Sequence, residues 1–113
     1  MKLDFKNKTI LITGGEGGIG KTISNQFLRL GAKIIVTTTK KKLVNRSTNK
    51  KIYMYLDFNN KNSIKIFLNN LRKINIVDIL INNAGINKLS HINDVDENYL
   101  DEIYKVNLRG PII

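Results

Sequence analysis

The chain has 113 residues, 42% of them hydrophobic and 25% charged, with no cysteine and a formal net charge of +10. That length suits one domain, and the missing thiols exclude a disulfide framework and a thiolate metal centre. No apolar run approaches the length of a membrane span, and the start MKLDFKNK lacks the apolar core of a signal peptide; a cytoplasmic protein with no membrane partner is expected. The charge is uneven: residues 1 to 76 carry sixteen basic and three acidic side chains, whereas 77 to 113 carry three basic and six acidic. The excess is mostly lysine among many asparagines and isoleucines, and the few aromatic residues are not interleaved with it, so no nucleic-acid partner is expected. His91 is the only histidine and lies in a polar stretch, so no metal site is expected either.

Residues 1 to 8 read as a polar lead-in in which Leu3 and Phe5 can tuck against a sheet edge. Thr9 to Ile12 is a short β-branched apolar run, suited to a strand buried on both faces of a parallel sheet. Gly14, Gly15, Gly17, Gly18 and Gly20 follow. The period then changes to that of a helix, with Ile19, Ile23, Phe27 and Leu30 on a face expected to pack on the sheet. Gly31 is expected to close the helix as its C′ residue. A strand that doubles directly into a helix needs positive φ angles and close backbone approach, and the free N–H groups of the helix start suit a pyrophosphate. The spacing satisfies TGxxxGxG, TGxxGxxG and GxGxxG at once, so the turn alone leaves the family open.

Lys33 to Thr37 is the second predicted strand. It reaches the ligand edge at Thr37, Thr38 and Thr39, where a dinucleotide fold distinguishes the two forms of the adenine ribose. Lys40 to Lys51 is expected to be a loop with little regular helix. Ile52 to Leu56 is the third strand, ended by Asp57, and Asn60 or Asn62 is expected to cap a helix whose face is Ile64, Phe67, Leu68, Leu71 and Ile74. Val77 to Ile81 is the fourth strand and runs into Asn82, Asn83, Ala84 and Gly85. Asp94 and Asp96 are candidate caps for a last helix carrying Tyr99, Ile103 and Val106 on one face. Strands alternating with helices predict an α/β fold, a Rossmann-type doubly wound parallel sheet with right-handed crossovers. No internal repeat is visible.

With Thr13 to Gly20, Asp57, Asn82 to Gly85 and Asn107 in the right order, the chain resembles the short-chain dehydrogenase/reductase family in its compact, single-domain form. It looks most like 3-oxoacyl-carrier-protein reductases and related sugar or steroid reductases. The resemblance implies that residues 1 to 113 are the N-terminal, dinucleotide-binding part of such an enzyme. The chain is then expected to stop after the fourth strand and the start of the following helix, with the C-terminal catalytic part absent. It implies that Gly14, Gly15, Gly18, Ile19 and Gly20 line the pyrophosphate and the approach to nicotinamide, with Thr38 and Thr39 at the adenosine ribose. Asp57 would accept a hydrogen bond from the adenine amino group, with Phe58 beside it. Asn83, Ala84 and Gly85 would border the ribose and hold strand four against the turn. Asn107 is implied as the catalytic candidate, holding a water in a proton relay.

The family's reaction rests on a serine and a YxxxK pair beyond that asparagine. Tyr53, Tyr55, Tyr99 and Tyr104 are followed four residues on by Asp57, Asn59, Ile103 and Leu108, so these residues alone are expected to be inactive. The implied function is hydride transfer between a nicotinamide cofactor and a small-molecule carbonyl or secondary alcohol, in a homo-oligomer when full length. The alternative is a non-catalytic NAD(P)-binding module or redox sensor, and a downstream serine and YxxxK would decide for the enzyme. NADP(H) is expected over NAD(H), because the end of strand two offers threonines and then Lys40, Lys41 and Lys42 where an NAD site usually has a carboxylate. Gly17, where many NADP-dependent relatives carry a basic residue, and the negative Glu16 weigh against it.

Overall fold

In a computed structural model, residues 2–74 and 76–113 are described; of the expected lead-in, Met1 lies outside them. Four parallel strands, β1 Thr9–Ile12, β2 Lys33–Thr38, β3 Lys51–Tyr55 and β4 Ile79–Ile81, form one sheet in the order β3-β2-β1-β4. In register, Ile10 lies beside Ile34 and Ile79, and Ile35 beside Ile52.

Alternation along the strands divides the core into two layers. Ile10, Ile12, Ile34 and Val36 project to one side, where Ile23, Phe27 and Leu28 of helix α1 (Gly18–Arg29) cover them. Leu11, Ile35 and Leu56 project to the other side, under Ile64, Phe67, Leu68 and Leu71 of helix α2 (Lys61–Arg72). Because both faces are covered, the strands read as continuous apolar runs rather than as alternating ones. The architecture is the expected doubly wound α/β sheet, with the strand order changing direction between β1 and β4.

Several local expectations are corrected. Ile19 is 74% exposed, because the first turn of α1 projects past the sheet end; the packed face begins at Ile23. Phe5 packs edge-on to Phe27 at 4.9 Å, but Leu3 stays exposed. Residues Lys41–Arg46 wind into a 3-10 helix inside the stretch read as a loop. β2 extends one residue further, to Thr38, and β3 starts one residue earlier, at Lys51. β4 is shorter than read, because the Asp78 carboxylate accepts from the Thr9 N–H (2.8 Å) in place of a backbone carbonyl.

Asn60, not Asn62, caps α2 by accepting from the Ser63 N–H at 3.0 Å. Asp96 caps helix α3 (Glu97–Ile103), while Asp94 belongs to a separate turn, Ile92–Asp94. Past Ile103 the helix widens into π-type turns over Tyr104–Arg109 and ends in the short α4, Gly110–Ile112. None of the described helices is long and apolar enough to cross a membrane.

Candidate functional site

The four strand ends open on a crevice of about 560 Å³. It is walled by the turn after β1, by Thr37 to Thr39 at the end of β2, by Leu56 to Asn59 after β3 and by Asn83 to Ile86 after β4. A parallel sheet directs all its carboxyl ends to one side, and the change of strand order parts the connections there.

The glycines of the turn fall into two groups. A methyl group on Gly14 would stand 3.0 Å from the Ala84 Cα, one on Gly15 3.0 Å from Val36, and one on Gly20 2.7 Å from the Gly14 carbonyl oxygen and 2.5 Å from the Asn83 amide nitrogen. These three let β1, α1 and the loop after β4 close on one another. At Gly17 and Gly18 a methyl group would meet nothing within 4 Å, and Gly18 has φ +53°. Gly17 is the N-cap of α1 and offers no side-chain acceptor to the first helical N–H groups. Open space thus lies over an uncapped helix start, where backbone donors and the positive dipole end favour an anion.

Thr13, 6% exposed, ties the end of β1 to the loop after the edge strand β4. Its hydroxyl oxygen accepts from the backbone N–H groups of Asn83 and Ala84, both at 3.0 Å. The Asn83 amide in turn donates to the carbonyls of Thr13 (3.1 Å) and Gly14 (3.0 Å). Thr37 is also committed inward, accepting from the Gly14 N–H at 3.0 Å. Thr38 is buried, its hydroxyl accepting from the Lys40 N–H, whereas Thr39 is exposed.

Beyond β3, the Asp57 carboxylate accepts from the Asn59 N–H at 2.9 Å, and the Asp57 N–H donates to the Ser63 hydroxyl at 2.8 Å. Phe58 lines the crevice while its ring lies so close to Gly110 that a methyl group there would be 2.8 Å from it. Asn107, in the widened turns, holds the loop after β4 from the other side: it accepts from the Ile86 N–H and donates to the Ile86 carbonyl, each at 2.8 Å. Gly15 lies beneath the turn and Asn107 behind the wall; the other expected site residues either line the crevice or, like Gly20, support its turn. Among the described residues no three acidic or histidine side chains gather as a metal site.

A shared ancestry accounts for this arrangement. A short-chain dehydrogenase from Leptospira borgpetersenii, solved with bound NAD+, is 34% identical and superposes with a TM-score of 0.82 over 96% of this chain and 43% of its own. One from Bacillus anthracis is 26% identical with a TM-score of 0.83, over 96% and 47%. Among curated relatives, the uncharacterised oxidoreductase YvrD of Bacillus subtilis is 30% identical over 99% of this chain and 45% of its own. The 3-oxoacyl-acyl-carrier-protein reductase FabG of Rickettsia typhi is 32% identical over 98% and 46%. The chain therefore spans about half the length of the curated relatives it matches. The short-chain dehydrogenase family model matches residues 8–113, and the chain belongs to that family.

Proposed function

We propose that residues 1–113 form the dinucleotide-binding part of an oxidoreductase that moves a hydride between a nicotinamide cofactor and a small-molecule carbonyl or secondary alcohol, with NADP(H) favoured over NAD(H). The observation that carries this reading is the open space over Gly17 and Gly18 at the uncapped start of α1, within a crevice bounded by all four strand ends. Backbone N–H groups there hold a pyrophosphate without a side chain in the way. The nicotinamide ring, when bound, would give the hydride to a carbonyl or take it from an alcohol. Thr39 and Lys40 to Lys42 support the NADP(H) preference, since the end of β2 carries hydroxyls and cations and no carboxylate. A cytoplasmic homo-oligomer is part of the same proposal. Titration of the chain with NADPH and with NADH, followed by cofactor fluorescence, tests it. Tighter NADH binding sinks the preference, and no binding of either sinks the site.

Asp57 and Asn107 separate binding from turnover. Asp57→Ala removes one acceptor for the adenine amino group and the brace on Asn59, so cofactor affinity should fall about threefold to tenfold in the same titration. A change below twofold would remove Asp57 from the adenine subsite. Asn107 has no useful pKa and serves proton delivery only by orientation, either of a water or of Ile86. In the full-length enzyme, Asn107→Ala should leave cofactor affinity within about threefold while kcat drops about tenfold or more. Loss of binding with kcat/KM kept in the active fraction would make Asn107 a purely structural residue.

A further inference from the structure

β1 lies between β2 and β4, so the turn that leaves it can be held from both sides. Main-chain groups along β1 alternate between these neighbours: the Lys8 carbonyl accepts from the Lys33 N–H on the β2 side, and the Thr13 N–H donates to the Ile81 carbonyl on the β4 side. The next donor due toward β2 is the Gly14 N–H. It pairs with a side chain instead of a main-chain carbonyl, donating to the Thr37 hydroxyl at 3.0 Å. Thr37 is 2% exposed, so water does not substitute for that acceptor. Gly14 has φ +62°, and a hydroxyl reaching from the end of β2 lets the chain swing out of the sheet there without orphaning the donor. On the other side, the Asn83 amide grips the Thr13 and Gly14 carbonyls.

We infer that Thr37 is a positioning residue, whose hydroxyl holds the Thr13–Gly14 peptide so that the backbone donors at the start of α1 face a bound pyrophosphate. The inference rests on the crevice being a nicotinamide-dinucleotide site. Thr37 acts through the turn and not on the ligand, because its oxygen is committed to Gly14. A valine there would put a methyl group in place of the acceptor. Carbon neither accepts from an N–H nor packs 3.0 Å from nitrogen, so the turn would back away from β2 with the Gly14 donor unpaired. The pyrophosphate is common to both nicotinamide cofactors, so a loss at Thr37 falls on NADPH and NADH alike. Thr39 and Lys40 to Lys42, by contrast, bear on the ribose that differs between them.

The test is calorimetric titration of wild type, Thr37→Val and Thr37→Ser with NADPH and NADH, at a temperature where thermal unfolding shows each protein to be folded. Exchange of the Gly14 amide hydrogen, followed by NMR, reports the hydrogen bond itself. Thr37→Val should weaken both cofactors about tenfold, keep their affinity ratio within about twofold of wild type, and speed Gly14 exchange. Thr37→Ser, which keeps the hydroxyl, should bind within about threefold of wild type. If Thr37→Val does not fold, Thr37→Ala, which removes the acceptor without a methyl group against Gly14, takes its place in the comparison. A folded variant that lacks the hydroxyl and still binds both cofactors as wild type does overturns the inference, since the bond then serves stability alone. Loss confined to NADPH also overturns it, by placing Thr37 at the ribose, and so does a Thr37→Ser as weak as Thr37→Val. If the wild-type chain binds neither cofactor, the dinucleotide reading fails, and the role of Thr37 falls with it.

Discussion

Gly18→Val should abolish dinucleotide binding while leaving the domain folded. A Cβ at Gly18 would meet no neighbouring element within 4 Å, so the substitution starts from open space rather than from a packed contact. Its cost to stability is that of forcing a β-branched residue to φ +53°, about 1–2 kcal/mol. The loss to binding is far larger, because the new methyl groups occupy the space over the uncapped start of α1. Two hydrogen bonds from backbone donors to a charged phosphate, at about 1.5–3 kcal/mol each, amount to a hundredfold or more in affinity. Titration with NADPH alongside thermal unfolding separates the two effects. Equal binding by wild type and variant would show that the open space is not where the ligand lies.

Gly20→Ala is expected to do the reverse and damage the fold first. Its methyl group would be 2.5 Å from the Asn83 amide nitrogen, 2.7 Å from the Gly14 carbonyl oxygen and 2.8 Å from the Gly15 Cα. Two of those atoms are backbone, so relief requires α1 to retreat from the turn. The movement also stretches the bonds from Asn83 to Thr13 and Gly14 that join β4 to β1. Overpacking of this kind costs about 3 kcal/mol, a large part of the about 5–15 kcal/mol that keeps a domain folded. Urea unfolding monitored by circular dichroism measures it. A variant within about 0.5 kcal/mol of the parent would mean that helix and turn have room the geometry denies.

The contrast between these two glycines marks the boundary of what the sequence discloses. Strand and helix identities were legible because Thr9 to Ile12 and Ile64 to Leu71 carry unambiguous periods, and the glycine turn was legible because it sits between two such elements. Which glycine faces a ligand and which faces protein was not, since both answers give the same letter. Thr13 read only as part of a motif, although its hydroxyl accepts two N–H groups some seventy residues away. No local pattern encodes a partner at that separation. Ile19 was misread because helical periodicity takes no account of where a sheet ends. The sealing of the Glu16 Oε2 from solvent was hidden too, since the sequence shows only a negative charge in the turn. The π-type turns that carry Asn107 against Ile86 leave no signal in composition either.

Phe58 has a further consequence, through its position between two occupants. Phe58 lines the crevice, and its ring also lies against Gly110, the first residue of α4. A ring so placed cannot yield to one neighbour without altering its fit to the other. A ligand that meets the Phe58 ring would therefore be coupled to the seating of residues 97–112 against it. Whatever free energy a bound ligand gains from an already seated helix, the helix gains back in the same amount when the ligand arrives. The last helical segment, which also lines the crevice at Val106, would thus act on a bound ligand through Phe58 as well as directly.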